Sequence, residues 1–178
     1  MKRFYFTLIA IIAFVGFAAL ALADPGTTWD QQINGHGRFK VLSQFGGAAV
    51  LDKETGRVWD QSPSTDLFCW TTSDICLPGS DALSHCYQLE VGGRKGWRVP
   101  TIEELASLVD TSQPSLALPG GHPFNVQPTT HWSATTNAND ASRAWAVGFA
   151  TGNVFNPVKT ADREVWCVRG GQGIDGVQ

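Results

Sequence analysis

The sequence has few charged residues and no run of basic residues. Charged side chains make up 16% of its 178 residues and the formal net charge is -3, whereas about 25% charged residues is typical of soluble domains. This argues against a nucleic-acid-binding protein, which needs a basic surface to offset phosphate charge. An aromatic content of 11%, with seven tryptophans, excludes a disordered chain, and the length fits one folded domain.

Long hydrophobic runs are absent except at the N-terminus. Lys2 and Arg3 precede an almost wholly apolar segment, residues 4–22, and Ala21 and Ala23 form a small-x-small cleavage pattern. This pattern predicts a signal peptide over residues 1–23 that is removed after Ala23. The alternative is an uncleaved membrane anchor, because the run approaches the ~20 residues needed to span a bilayer. After cleavage we expect no membrane association and 11 basic against 16 acidic residues.

The sequence also lacks the usual motifs of hydrolases and zinc sites. It has no G-x-S-x-G or H-E-x-x-H segment and no C-x-x-C pair, so we predict neither a serine nucleophile nor a metal centre. The four cysteines, an even number in an exported chain, predict two disulfides. Three pairings are open, and we favour Cys69–Cys76, within one loop, and Cys86–Cys167, between a central helix and the last strand.

The first half of the chain contains one hairpin pattern and one helix pattern. Apolar residues flank a turn within residues 49–60, and Gly56 can adopt the positive φ of a hairpin turn. Residues 61–79 form a long loop by their proline, serine and threonine content. We then expect Ser80 to cap a helix over residues 81–89 with Leu83, Cys86 and Tyr87 on its apolar side.

A helix N-terminal signature follows Pro100. Thr101 and Glu104 have the spacing of a capping box, which predicts a helix that ends near Asp110. Glu103 and Glu104 lie in its first turn, where the helix dipole favours negative charge. We interpret these carboxylates as structural, because a general acid–base pair should face across a cleft.

The second half of the chain predicts short strands and two long polar loops. We expect a loop over residues 111–130, strands over 131–134, 144–150, 154–158 and 164–169, and a polar loop over 135–142. In the last strand, alternation places Val165, Cys167 and Arg169 on one side and Trp166 and Val168 on the other. The fold class is α+β, a small antiparallel sheet with two short helices and long loops. Its boundaries are a lead-in over residues 24–37, a domain over 38–171 and a glycine-rich tail over 172–178.

The second polar loop supplies our candidate binding residues, because their side chains can bond sugar hydroxyls. The ligand-binding candidates are Thr135, Thr136, Asn137, Asn139, Asp140 and Arg143. The alternative for this cluster is a solvated turn. Three of these residues, Asn137, Asn139 and Asp140, are weak calcium candidates, because hard oxygen ligands suit that ion but one carboxylate supplies little charge. We expect no other cofactor and no catalytic residue.

Six sequence blocks resemble the Lcl C-terminal domain family, formerly a domain of unknown function. They are VLDKETGRVW (50–59), HCYQL (85–89), GWRVPTIEEL (96–105), HWSAT (131–135), AWAVGF (144–149) and WCVRGG (166–171). The resemblance implies a C-type-lectin-like fold, similar in part to the sulfatase-modifying superfamily, and supports a Cys86–Cys167 bridge. It also implies an exported bacterial domain of a family in which some members bind glycans.

These observations leave three functional hypotheses. The first is a non-catalytic ligand-binding or adhesion domain, periplasmic or at the cell surface, with a glycan or a cell-surface protein as its partner. The second is a structural component of the envelope or of a surface assembly. The third, which we favour least, is an enzyme of the sulfatase-modifying type, whose chemistry would need reactive thiols or a histidine metal cluster.

Overall fold

The computed structural model describes residues 35–71, 76 and 79–170. The predicted signal peptide, most of the lead-in and the glycine-rich tail lie outside these residues. In the part that is described, no helix has both the length and the apolar character to cross a bilayer. The elements in chain order are α1 (Gly35–Arg38), β1 (Phe39–Val41), β2 (Ala49–Asp52), β3 (Arg57–Asp60), α2 (Ala82–Gln88), β4 (Trp97–Arg98), α3 (Ile102–Ala106), β5 (Thr130–Thr136), β6 (Ala144–Gly148), β7 (Asn153–Phe155), β8 (Glu164–Val165) and β9 (Val168–Arg169).

The predicted hairpin is confirmed as the antiparallel pair β2–β3. Gly56 has a φ of 68° in its turn. Asp52, fully buried, accepts hydrogen bonds from the backbone N–H of Glu54 and from the hydroxyl of Thr55. The guanidinium of Arg38 donates to both carboxylate oxygens of Asp52, at 2.8 and 2.7 Å. Asp52 therefore has a structural role, because its carboxylate oxygens accept the hydrogen bonds that stabilise this turn.

The strands form two sheets, which corrects the prediction of a single small antiparallel sheet. One sheet has the order β1-β2-β3-β9-β4 and the other the order β7-β6-β5-β8. The first is antiparallel throughout, whereas β8 pairs parallel with β5. The fold is α+β, as predicted from the sequence.

The last predicted strand is wrong in one respect, because residues 164–169 contain two strands in different sheets. Between them, the indole of Trp166 donates to the carbonyl of Asp60 at 2.8 Å, and Cys167 is bonded to Cys86 of α2. These two tertiary contacts hold the chain between the sheets, where neither residue continues the ladder of β8.

The alternation predicted for this segment is nonetheless correct, and it separates two hydrophobic clusters. Val165 and Cys167 belong to one cluster, while Trp166 and Val168 belong to the other. The first cluster also contains residues of α2, and the second contains residues of α3. One short segment therefore contributes to both halves of the core.

The N-terminus of α2 differs from the prediction. Asp81, not Ser80, is the N-cap, and its carboxylate accepts a hydrogen bond from the backbone N–H of Ser84. Tyr87 is 80% exposed, so its assignment to the apolar side was wrong. Cys86 and Ala82 are the buried residues of this helix, four positions apart as the helical period requires.

The capping box of α3 is confirmed, but the helix is shorter than predicted. Thr101 accepts a hydrogen bond from the N–H of Glu104, and the Glu104 carboxylate accepts one from the N–H of Thr101. The helix ends at Ala106 rather than near Asp110. The next N–H groups, of Leu108 and Val109, bond to carbonyls three residues earlier, which is the tightening usual at helix ends.

Four of the tryptophans that the structure describes lie in the core. Trp59, Trp97, Trp132 and Trp166 are at most 2% exposed, whereas Trp145 is only partly buried. β5 is longer than its predicted strand and includes Thr135 and Thr136. Two of the six candidate binding residues therefore lie in a strand and not in a loop.

Candidate functional site

The two candidate threonines at the end of β5 bond to other parts of the domain. The hydroxyl of Thr135 accepts a hydrogen bond from the backbone N–H of Ile102 at 3.0 Å, which attaches the start of α3 to β5. The hydroxyl of Thr136 accepts one from the ammonium group of Lys159 at 2.9 Å. Both side chains thus contribute to packing between elements.

The other four candidates form the turn between β5 and β6. The amide oxygen of Asn137 accepts from the N–H of Asn139 at 2.9 Å. One oxygen of Asp140 accepts from the N–H and the hydroxyl of Ser142, and the other from Arg143 at 3.2 Å. These bonds from Ser142, together with the charge of Arg143, lower the pKa of Asp140. The carboxylate is ionised at neutral pH and is already engaged by the turn itself.

The structure adds Trp70 and Lys159 to this surface, and sequence reasoning missed both. The ammonium of Lys159 lies 3.9 Å from the ring centroid of Trp70, a cation–π contact. The indole N–H of Trp70 donates to the carbonyl of Ser133 at 2.7 Å. Trp70, Thr136 and Lys159 lie on three separate segments of the chain, and Lys159 is 23 residues after Thr136. Only the pairing of these segments brings the side chains together. We call Trp70, Lys159 and residues 136–143 the loop surface.

The calcium prediction on the loop surface stays a prediction. Among the residues that the structure describes, no group of three or more His, Cys, Asp and Glu side chains is arranged to hold a metal ion. Asn137, Asn139 and Asp140 do lie together in one turn. The only carboxylate there is the one that Ser142 and Arg143 engage.

A second surface surrounds Tyr87, and its polar side chains make few contacts with the described residues. Tyr87, Gln88, Lys95 and Gly96 line a cleft of about 510 Å³, which we call the Tyr87 cleft. Within the described part of the chain, the side chains of Tyr87 and Gln88 make no hydrogen bond, and Lys95 makes only a loose 3.9 Å ion pair with Glu90. An exposed aromatic ring, an amide and an ammonium group are thus available to a ligand.

Sequence reasoning missed this cleft because it placed Tyr87 on the buried side of α2. The predicted stripe counted Tyr87 with Leu83 and Cys86. A helical position adjacent to Cys86 points about 100° away from it, so burial of Cys86 by its disulfide turns Tyr87 outward. The periodicity of Ala82 and Cys86, four residues apart, was the signal that could have shown this.

Of the two acidic residues of α3, Glu104 makes structural contacts, as the sequence indicated, whereas Glu103 is exposed. The carboxylate of Glu104 accepts hydrogen bonds from Arg98 at 2.7 Å and from Arg57 at 2.6 Å. Partial burial alone would raise the pKa of Glu104, but the bonds from Arg98 and Thr101 and the charge of Arg57 outweigh it and lower the pKa to about 2. A carboxyl group with so low a pKa is a poor proton carrier at neutral pH.

The cysteines form the two disulfides that the sequence favoured. Cys69 is bonded to Cys76, with Cα atoms 6.3 Å apart, and Cys86 to Cys167, with Cα atoms 5.5 Å apart. All four cysteines of the chain are thereby oxidised. Such bonds persist in oxidising compartments and are rare in the cytosol.

A comparison with models of protein families matches residues 48–169 to the Lcl C-terminal domain. The matched range starts just before β2 and ends with β9, so it includes both disulfides and both sheets except β1. No curated protein matches the chain.

Proposed function

Because the chain belongs to the Lcl C-terminal domain family, we propose that it is an exported, non-catalytic ligand-binding or adhesion domain whose ligand is a glycan. We place the glycan in the Tyr87 cleft. The observation that carries this proposal is the aromatic ring of Tyr87, 80% exposed at a cleft with an amide and an ammonium group.

The chemistry of the Tyr87 cleft suits a sugar. A pyranose ring has an apolar C–H face, which packs on an aromatic ring, and a rim of hydroxyls. Tyr87 offers the flat apolar face together with a polar hydroxyl, while Gln88 and Lys95 offer hydrogen-bonding groups for the rim. Large exposed apolar side chains beside polar groups mark binding surfaces. A binding role therefore explains why this aromatic residue is not buried.

We also propose a superfamily for this α+β fold. We infer a C-type-lectin-like fold within the sulfatase-modifying superfamily, supported by two small sheets, long loops over residues 61–71 and 107–129, and the bridge from α2 to residue 167. Lectin-like domains use such a scaffold to present loops. The loop surface would be a presentation surface of that kind.

Export and the absence of catalysis belong to the same proposal. The signal-peptide pattern of residues 1–23 and the two disulfides support a location in the periplasm or at the cell surface. The pairing of all four cysteines supports a binding role, because thiol chemistry of the sulfatase-modifying type would need a free thiolate. Two or more reactive thiols in the native exported protein would revive the enzyme hypothesis.

A glycan array probed with residues 24–178 tests this function, and titration at Tyr87 tests the site. Tyr87 is the only tyrosine in residues 24–178, so ring-labelled tyrosine gives one set of NMR signals. We expect glycan binding to shift those signals. Tyr87→Ala should weaken binding about tenfold and Tyr87→Phe much less.

The control substitution is Phe155→Ala, which removes a partly exposed aromatic ring from β7 and should leave affinity unchanged. Full affinity in Tyr87→Ala would reject the Tyr87 cleft as the site. A loss in Asn139→Ala or Lys159→Met would instead assign binding to the loop surface. Repeating the array with and without calcium tests Asn137, Asn139 and Asp140 as calcium ligands.

The edge strand β7 favours the second candidate function, a component of a surface assembly. β7 is the outer strand of its sheet, and Val154 and Phe155 are 45% and 36% exposed there. Unpaired edges with apolar side chains readily accept another strand. A photo-crosslinking amino acid at position 154, but not one at Tyr87, should then capture an envelope protein in cells, and the glycan array should show no binding.

A further inference from the structure

A third surface lies at the edge strand β8, on a part of the molecule that the proposed function does not use. Leu67, Thr129, Thr130, Asp162, Arg163 and Glu164 line a cleft of about 340 Å³ there. The cleft is formed where the start of β5 pairs parallel with β8, beside the segment that precedes Phe68. We call it the Glu164 cleft.

Glu164 is nearly buried, and yet none of the described residues donates a hydrogen bond to its carboxylate. It is 6% exposed, and its one polar contact in the described part of the chain is the Nε2 atom of His131, 3.4 Å from Oε2. That contact is too long and too poorly oriented for a hydrogen bond. A carboxylate taken out of water costs free energy unless hydrogen bonds or an opposite charge compensate it.

His131 does not supply that compensating charge. It is fully buried against the rings of Phe149 and Trp166. Burial lowers the pKa of its imidazole to about 4, although a hydrogen bond with the backbone of Thr129 acts in the opposite direction, so the ring is neutral at pH 7.

The neighbouring arginine does not compensate Glu164 either. The guanidinium of Arg163 donates to the backbone carbonyl of Asp162, and its side chain makes no ion pair with Glu164 in the described chain. Asp162 adds a second carboxylate at the rim. Among the described residues, the cleft therefore holds one nearly buried and one exposed carboxylate, and the guanidinium of Arg163, which also lines it, forms an ion pair with neither.

We propose that the Glu164 cleft binds a protonated primary amine on an aliphatic stem. The ammonium group donates to the carboxylate of Glu164, with Asp162 and the threonine hydroxyls available to its other N–H bonds. Leu67, 63% exposed, provides the apolar wall for the methylene stem. The same group is found on a free diamine and on a lysine side chain, and the cleft is open to either source.

Two amines distinguish the sources: 1,5-diaminopentane and a peptide with one internal lysine, with pentanol as the uncharged analogue. Each is titrated into residues 24–178 while the His131 imidazole signals are followed by NMR, since His131 contacts Glu164. We expect the amines, and not pentanol, to shift these signals and to show contacts between their methylenes and the Leu67 methyls. Binding of the diamine alone assigns a small molecule, and binding of the peptide assigns a protein partner.

Glu164→Gln keeps the side-chain shape and removes the charge, so amine affinity should fall about tenfold or more. The matched control is Glu90→Gln, an exposed carboxylate outside this cleft that is 53% exposed, and it should bind as the parent does. Equal affinity in Glu164→Gln overturns the proposal, as does an unshifted His131 in the parent protein. The parent titration gives this answer even where Glu164→Gln does not fold, and neither result depends on the glycan array.

Discussion

Glu104 shows how one side chain connects three segments of the domain. It accepts hydrogen bonds from Arg57 of β3, Arg98 of β4 and the N–H of Thr101. Its side chain is 12% exposed, so little water competes with these donors. Three residues around Pro100, together with Arg57 of β3, thus form one structural network.

Glu104→Gln should destabilise the domain by about 2 kcal/mol at pH 7, because both arginines lose their charged acceptor. The pKa of Glu104 is lowered from 4.5 to about 2, so this stability is present above pH 4.5 and is lost as the pH falls through 2. Urea unfolding of both proteins from pH 7 to pH 2 measures the difference. A difference in unfolding free energy between the two proteins that stays constant over this pH range would contradict the lowered pKa of Glu104.

The buried His131 predicts a second pH effect, at higher pH. Its pKa is lowered from 6.5 to about 4, so folding favours the neutral ring. The corresponding stability, about 3 kcal/mol for this shift, is present above pH 6.5 and is lost as the pH falls through 4. His131→Phe should remove this part of the acid sensitivity. NMR titration of the imidazole checks the direction of this pKa shift. A pKa above 6.5 would mean that the charge of Glu164 outweighs the effect of burial.

At the scale of elements, close backbone approach decides which glycines the fold requires. Gly92 and Gly93 follow α2, and both have positive φ, 57° and 73°. A Cβ on Gly92 would lie 2.5 Å from the Cα of Phe45, whereas one on Gly93 would meet nothing within 4 Å. The turn therefore needs Gly92 for space as well as for its conformation.

Gly93→Ala should cost about 1 kcal/mol, the penalty of a left-handed alanine. Gly92→Ala should cost at least about 2 kcal/mol more, because the backbone of Phe45 has to move. Thermal unfolding of the two variants measures the difference between them. Similar losses of stability in the two variants would show that the turn shifts away from Phe45 without strain.

Element prediction from the sequence succeeded where the signal is local. The capping box of Thr101 and Glu104 spans four residues, and the turn at Gly56 needs only its own backbone freedom. It failed at Ser80, because the adjacent Asp81 is an equally good cap, and it failed at residues 164–169. There the alternation gave the correct faces, but alternation carries no information about which sheet a strand joins.

At the scale of the whole molecule, prediction of the candidate sites from the sequence has the same limit. The sequence placed six polar residues in one region, and the structure keeps them together. It could not show that Lys159 bonds to Thr136, because this contact depends on the bridge between Arg143 and Val158. The Glu164 cleft was equally out of reach, since it needs the parallel pairing of β5 with β8. Sites assembled by long-range pairing have no local sequence pattern.

The two disulfides should differ in their effect on the whole domain. Cys86–Cys167 closes 81 residues and Cys69–Cys76 closes seven. The chain-entropy model assigns about 4 kcal/mol to the first and about 2 kcal/mol to the second. The first also attaches α2 to the segment that joins the two sheets, at 0% and 1% exposure, so its loss leaves a gap in the core.

Cys86→Ala with Cys167→Ala should therefore lower the free energy of unfolding by more than Cys69→Ala with Cys76→Ala. Urea unfolding under identical conditions measures both losses. The Tyr87 signals supply a second readout, because Tyr87 is adjacent to Cys86 and its outward orientation depends on that bridge. We expect the first pair of substitutions to change these signals and the second to leave them unchanged. Equal losses of stability would mean that packing of Trp97 and Trp132, not the covalent link, holds the first cluster together.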